Sequence, residues 1–310
     1  MDNKVAIILS AYNGEEFISE QIESIIAQSF NNLHLFVHDD GSSDETFKII
    51  KEYADKYENI NIIVDKRKLG YPDCFVEMLK VVEGYQYYAF CDQDDVWSKD
   101  KIANGVEALK DLDNKRPLLY YTAVNYCDSY LNFIRGSRFA EKMDGLTWLS
   151  LTDVLFGGEA MGMTFIFNNR SRDALIKANE YGKFKDWFLK IYCSTCGNII
   201  YDPKPSAMYR RHDGAVTGKS NPSGKIKRYC SQIQEIFLSK ETFCEQKKII
   251  SLLKTVYFDD ISKEDQQLLK LFSAPDSVIN RMKKVFYKKR FRRKLIDEFG
   301  YRFAFLLGKI

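Results

Sequence analysis

No stretch of this 310-residue chain approaches the ~20 consecutive apolar residues that would span a bilayer. The N-terminus also lacks the basic segment and apolar run of a secretory signal, so a cytoplasmic protein is expected. Neither G-x-G-x-x-G after the first strand nor G-x-x-x-x-G-K-[ST] is present, which disfavours a dehydrogenase or a P-loop NTPase. The seven cysteines, at 74, 91, 127, 193, 196, 230 and 244, are odd in number and lie mostly in apolar segments. They read as buried reduced thiols, not as a disulfide framework. Cys193 and Cys196 have redox spacing, but no thioredoxin-like strand precedes them and no second pair completes a zinc site. Basic residues interleaved across a folded face are missing too, so no nucleic-acid partner is expected.

What is present is 45% hydrophobic and 29% charged, the balance of a soluble globular chain long enough for a substantial core. Charge is unevenly spread. Residues 281–310 carry eleven Lys/Arg against Asp297 and Glu298, a balance of +9, which leaves −6 on residues 1–280 of a chain whose total is +3. The most informative stretch runs from Tyr88 to Trp97, where an aromatic and apolar run stops at Asp92, Asp94 and Asp95. Crowded carboxylates repel one another, so three within four residues at a strand end point to a cation. The alternative is a polar turn capped by aspartates.

Residues 5–9 form a continuously apolar, β-branched run, the pattern of a strand buried on both faces. After the break at 10–14, Phe17, Ile18, Ile22, Ile25 and Ile26 recur at helical spacing. Strands at 33–38, 60–64 and 87–91 alternate with helices at 44–57 and through Val76 and Leu79. This alternation predicts an α/β fold with a parallel sheet, helices on both faces and a ligand site at the carboxyl ends of the strands. The polar clusters at 10–14, 39–43 and 92–95 all follow strands at that edge and are expected to converge. Beyond them the pattern predicts helices at 101–112, 171–179 and 186–193. Strands are expected at 118–124, 164–167, 199–201 and 206–210, with a glycine-bearing loop at 156–162. From about Gly224 the chain reads as helical, after a linker-like segment at 217–224 that places a boundary near Ser220.

Ser10-Ala-Tyr-Asn13, His38-Asp-Asp-Gly-Ser-Ser-Asp44, Asp92-Gln-Asp-Asp-Val-Trp97, Lys185-Asp-Trp187 and Tyr209-Arg-Arg-His212 together resemble family 2 glycosyltransferases of GT-A fold. The likeness is to bacterial rhamnosyltransferases of cell-wall and surface polysaccharide synthesis. It covers residues 1 to about 215. It implies a GT-A catalytic domain over 1–220, with a nucleotide-sugar half at 1–100 and an acceptor half at 101–220, followed by a helical region at 221–310. The implied activity is inverting, metal-dependent transfer of a sugar to a lipid-linked polysaccharide acceptor. The implied donor is dTDP-L-rhamnose, or a UDP-sugar, and nothing in the motifs fixes the sugar. A non-catalytic nucleotide-sugar-binding subunit is the reading from another class. A homo-oligomer is compatible with the chain.

By this resemblance Asp40 accepts from the pyrimidine N3–H, Tyr12 packs on the base and Ser10 adds a polar contact. Asn13, Lys68, Gly70, Gln93, Arg210 and Arg211 are implied on the donor side, with Lys66 and Arg67 as alternatives to Lys68 for reaching phosphate. Asp94 is implied as a direct ligand of Mn²⁺ or Mg²⁺, Asp92 as a contact to the ribose or to the metal's waters, and His212 as a ligand of metal or pyrophosphate. Asp186 is implied as the general base. Relatives often carry an acidic residue or His before that Asp, where this chain has Lys185. Trp97, Gly157, Gly158, Glu159 and Trp187 are assigned to the acceptor. Taken as a sequence alone, Asp39, Asp40 and Asp186 also suit turns or helix caps.

The basic C-terminal segment mixes Met282, Val285, Phe286, Lys289, Arg293 and Ile296 at helical spacing, followed by Phe299, Tyr301, Phe303, Phe305, Leu306 and Leu307. This composition suits peripheral attachment to an anionic membrane surface, and equally a helix packing its aromatics on the catalytic domain.

Overall fold

The computed structural model describes residues 3–65, 67–137, 139, 143–157, 161–212 and 244–309. The boundary near Ser220 therefore lies outside the described residues. The chain opens with β1 (Val5–Ala11), α1 (Ile18–Ile26), β2 (Leu33–Asp39), α2 (Thr46–Lys56), β3 (Ile60–Ile62), α3 (Asp73–Val81) and β4 (Tyr87–Cys91). This is the strand–helix alternation expected from the pattern. β1 pairs in parallel with β2 on one side and β4 on the other, and β2 pairs in parallel with β3. Strand order thus reverses beside β1, and a crevice opens at the carboxyl ends of β1 and β4, where open α/β sheets bind ligands.

The second part supplies β5 (Val96–Trp97), α4 (Lys101–Leu109), β6 (Leu118–Thr122), β7 (Asn125–Cys127), β8 (Phe133–Gly136), β9 (Thr147–Trp148), α5 (Leu151–Val154), β10 (Ile166–Asn168), α6 (Asn169–Ala178), α7 (Asp186–Cys196), β11 (Asn198–Asp202) and β12 (Ala207–Arg210). Among the described residues eight strands form one sheet in the order β3-β2-β1-β4-β10-β6-β11-β9. β10 runs antiparallel to both neighbours, so the sheet is mixed. Four further strands form a second sheet in the order β5-β12-β7-β8, its first strand following β4 after the loop 92–95. Of its strands only β12 was expected, at 206–210; the others, two to four residues long, are too short to show a period. Thr164, expected to begin a strand, instead closes a 3₁₀ turn over Gly162–Thr164 that leads to β10.

The apolar side chains of β1 alternate between two cores, as a strand covered on both faces requires. Val5, Ile7 and Leu9 meet α1, α2 and α4, whereas Ala6 and Ile8 face α3, α6 and α7. The helical end of the chain joins this second core. α8 (Cys244–Val256), α9 (Lys263–Ser273), α10 (Val278–Val285) and α11 (Leu295–Leu306) follow one another. Ile249, Leu253, Leu269, Phe272, Ala304 and Phe305 pack into the same cluster as Phe156, Phe188 and Leu189. Phe156 is the junction, with ring centroids 4.7 Å from Phe272 and 5.8 Å from Phe305.

Cys74, Cys91, Cys127, Cys193 and Cys196 are buried and Cys244 is exposed, all as free thiols. Burial pushes the Cys193 thiol up to about 12 and that of Cys196 to about 11, so neither is primed as a nucleophile.

Candidate active site

Three loops leave β1, β2 and β4 at the same edge, and their polar residues tie them together. The Gln93 amide clasps Tyr12 from both sides: its Oε1 accepts from the Tyr12 N–H at 2.8 Å and its Nε2 donates to the Tyr12 carbonyl at 2.9 Å. A Cβ at Gly14 would overlap the Gln93 amide, so glycine there is a packing requirement. Asn13 sits at φ +46°, donates its N–H to Ser42 Oγ and accepts from the Ser43 N–H on its side-chain oxygen. The Asp39 carboxylate closes the next turn on the Ser42 N–H at 3.1 Å. Asn13 and Gln93, expected as donor contacts, thus spend these side-chain groups on the framework.

Asp40 is buried at the end of β2. Its two oxygens accept from the Leu69 and Gly70 N–H groups at 2.5 and 2.9 Å, and His38 Nε2 lies 3.5 Å from Oδ1. The carboxylate therefore anchors the loop that carries Lys68. Each carboxylate oxygen has more than one lone pair, so these bonds leave acceptor capacity for a base imide. Tyr12 is 44% exposed, with Lys68 Nζ 3.9 Å from its ring centroid. Ring and ammonium together form an open wall suited to a flat base and a phosphate. Arg67 is instead held by Asp65 and Glu77, and Lys66 lies outside the described residues. Ser10 lies beside the Cys74 thiol on α3, which burial raises and the Ser10 hydroxyl pulls back.

At the end of β4 the aspartates divide the work. Burial raises the Asp92 carboxyl above the ordinary carboxylate range; the Lys185 ammonium pulls it back, and Asp94 and Asp186 push it up. Asp95 is fully buried and raised for the same first reason, then by Asp94 and Asp92. Its Oδ1 takes the Arg210 N–H at 2.9 Å, and its Oδ2 has no partner. Asp94 reaches outward and lies 2.8 Å from His212 Nε2, across 118 residues of sequence. The His212 ring packs on Phe17, 4.8 Å between centroids.

That oxygen–nitrogen pair suits a borderline-hard ion such as Mn²⁺. Among the described residues no group of three His, Cys, Asp or Glu side chains is arranged to hold a metal. Asp94 and His212 are the residues that would hold such an ion, and oxygens from outside the chain would have to complete its shell.

Arg210, expected on phosphate, is buried. Its guanidinium donates to the Asp94 carbonyl at 2.8 Å, to the Ser129 carbonyl and to Glu20, and it stacks on Phe17 at 4.5 Å. The structure corrects that expectation: Arg210 supports the Asp94 turn from beneath, because a buried guanidinium must satisfy its donors locally. Arg211 donates its N–H to the Cys127 carbonyl at 3.0 Å, which continues the β12–β7 pairing to His212.

Asp186 opens α7. Its Oδ2 accepts from the Gly162 N–H at 3.1 Å, and its buried Oδ1 makes no hydrogen bond, with Lys185 Nζ at 3.6 Å. A Cβ at Gly162 would overlap Oδ1. Gly162 is the site residue that the sequence reading missed; its only trace was the glycine-rich loop at 156–162. Tyr71 is 58% exposed as a residue, and its hydroxyl is raised first by desolvation and then by the charges of Asp186 and Asp92.

On the acceptor side the structure differs from expectation. Trp97 is 4% exposed in the core, under the Lys101 ammonium at 4.6 Å, so it lines no open surface. Gly157 is buried against Arg292 and the Asp153 carbonyl, and its own carbonyl accepts from Lys190. Both were drawn inward by the apolar segments that flank them. Trp187 is half-buried against Lys190 at 4.6 Å. Gly158 and Glu159 lie outside the described residues.

The sequence pattern described as Glycosyl transferase family 2 matches residues 6–170. The dTDP-rhamnosyl transferase RfbG of Shigella flexneri is 31% identical over 239 residues, 71% of this chain and 76% of that protein. An uncharacterised glycosyltransferase of Rickettsia typhi is 31% identical over 219 residues, covering 69% of this chain and 65% of that protein. Among solved structures, S. aureus TarS 1–349 in complex with UDP-GlcNAc superposes with a TM-score of 0.55 at 18% identity, over 98% of this chain and 92% of that one. GalNAc-T7 with UDP, GalNAc and Mn²⁺ gives 0.52 at 11% identity, over 83% and 57%. These likenesses carry the GT-A fold, a mixed α/β sheet flanked by helices with a helical C-terminal region. The chain belongs to glycosyl transferase family 2 and is a glycosyltransferase.

Proposed function

We propose that this enzyme transfers L-rhamnose from dTDP-L-rhamnose to a lipid-linked saccharide acceptor, with inversion at the anomeric carbon. The observation that carries the reading is the convergence of Asp40, Asp94 paired with His212, and Asp186 on one sheet edge. The identity to a dTDP-rhamnosyl transferase supports the sugar.

Tyr12 and Asp40 take the base, and Lys68 meets the diphosphate. Asp94 and His212 would hold Mn²⁺ or Mg²⁺, and the bound ion would supply positive charge beside the diphosphate. Asp186 accepts the proton of the acceptor hydroxyl as that O–H bond breaks. The freed oxygen pair forms the bond to C1 from the face opposite the diphosphate as the C1–O bond to phosphate breaks, and the nucleoside diphosphate departs with that bonding pair. Gly162 fixes one oxygen of the base, so the other keeps its direction.

The outer faces of α10 and α11 support action at a membrane. Val278, Ile279, Met282 and Phe286 form one exposed stripe, and Leu295, Ile296, Phe299, Phe303 and Leu306 form another. Lys283, Lys288, Arg290, Arg293 and Lys294 are exposed beside them. Basic residues flanking an exposed apolar stripe fit the anionic interface of a bilayer, where a lipid-linked acceptor resides. No helix among the described residues is long and apolar enough to cross a membrane.

Turnover of dTDP-L-rhamnose and UDP-hexoses with Mn²⁺, read as nucleoside diphosphate release and as anomeric configuration by NMR, tests the reading. Release from UDP-hexoses alone moves the donor to that class, and binding without release makes the chain a nucleotide-sugar-binding subunit.

A further inference from the structure

The reaction above leaves Lys185 without a role, although its side chain is 3% exposed at the mouth of α7. An ammonium so buried is costly unless it finds compensating partners. Its Nζ lies 3.8 Å from the ring centroid of Phe75, 4.8 Å from Phe90 and 4.9 Å from Tyr71. Phe75 and Phe90 are buried, and desolvated rings attract a cation more strongly than exposed ones; Tyr71, 58% exposed, adds less. Beyond this cage Nζ stands 3.6 Å from Asp186 Oδ1, the oxygen with no hydrogen bond. The two oxygens of Asp186 are thus held differently, one by the Gly162 amide and one facing a caged cation. The missing side chain at 162 makes room for both groups, since a Cβ there would stand 2.9 Å from Nζ.

The other titratable groups facing Asp186 among the described residues are Asp92 beyond β4, Tyr71 before α3 and Glu245 on α8. Two of these are carboxylates that repel it, and Lys185 is the cation of the group. We propose that Lys185 is a positioning residue for the base: its caged ammonium holds Asp186 Oδ1 in place and stabilises its negative charge against Asp92 and Glu245 until the acceptor proton arrives. This rests on the reading of Asp186 as the base.

The test compares pH profiles of rhamnosyl transfer by the full chain, with thermal melting and donor binding as controls for folding. Lys185→Met is expected to lower kcat at neutral pH about tenfold or more, with donor KM nearly unchanged. It moves the acid limb of kcat up by about one pH unit, the direction for a carboxylate that has lost its cation. Lys185→Arg, which keeps the charge, returns the limb towards wild type. In an Asp186→Asn background Lys185→Met adds no further loss, because both act through one carboxylate.

An unmoved limb in folded Lys185→Met, or a further loss on top of Asp186→Asn, overturns the proposal. Where Lys185→Met does not fold, Phe75→Leu opens the cage while keeping the lysine; the same upward shift is expected, and its absence counts against the proposal equally. Near wild-type turnover by Asp186→Asn removes the base assignment and Lys185 with it. An inactive Asp186→Asn beside a wild-type limb in Lys185→Met removes Lys185 alone.

Discussion

The catalytic edge of the sheet and the outer face of α10 and α11 are both open to solvent, and they use that openness in opposite ways. At the edge, the polar side chains are bound to one another: Gln93 to Tyr12, Asn13 to Ser43, Asp40 to the Leu69–Gly70 amides, Asp94 to His212. Negative charge is crowded there beyond what local cations offset, which burial turns into raised carboxyls at Asp92 and Asp95. On the two helices the reverse holds. Their inward stripes, such as Ala304 and Phe305, complete the core, while Phe286, Phe299 and Phe303 stay exposed at 74%, 69% and 53%. Crowded negative charge on a rigid edge suits a cation, and an apolar stripe left exposed among lysines fits the proposed lipid surface.

The comparison breaks first at the base. Asp186→Asn is expected to cut kcat by about 10²–10⁴-fold while leaving donor binding intact, measured by steady-state kinetics and calorimetry. Gly162→Ala comes next: its Cβ meets Asp186 Oδ1 and Lys185 Nζ, so a loss of about 10–100-fold in kcat is expected with a nearly unchanged melting temperature. Wild-type kinetics in that variant would show that the geometry of the base tolerates displacement.

For the other surface, the paired change Phe299→Ser and Phe303→Ser is expected to abolish co-sedimentation with phosphatidylglycerol vesicles and to leave turnover on a water-soluble acceptor unaltered. Unchanged sedimentation would instead assign the stripe to another contact.

The smallest effect is one of stability. Burial lowers the Lys101 ammonium from 10.5 to about 7, against the upward pull of Cys91, Asp95 and Asp92. Because the folded value lies below the unfolded one, the cost of burying the charge is present in full below about pH 7 and fades as pH rises towards 10.5. Lys101→Met is expected to stabilise the protein at pH 7 by about 1 kcal/mol or more, with the gain shrinking at pH 9, as read by urea unfolding at both values.

Much of the first hundred residues could be read before any coordinates. The continuous apolar run at 5–9 and the repeat of strand, polar break and helix mark buried parallel strands because such strands have no polar face to display. The motifs likewise brought Asp94 and His212 together on paper, and the structure sets them 2.8 Å apart. Other assignments failed for one reason, that a residue's type does not state its depth. Arg210 and Trp97 look like surface ligands in a motif, yet both are buried, and their neighbours Glu20, Phe17 and Lys101 come from distant segments. Apart from β12, the short strands of the second sheet have no period to detect.

Local order along the chain was thus enough to establish a parallel α/β core, the edge at which its loops gather and the charge of the site. Which oxygen of Asp186 is pinned, that Lys185 stands among aromatic rings beside it, and that the last four helices share a core with the earlier part of the chain came only with folding. Those facts depend on distances between groups remote in sequence, from Gly162 to Asp186, Phe75 to Lys185 and Phe156 to Phe305. Such distances are set when helices pack across a sheet, not by the spacing of residues along it.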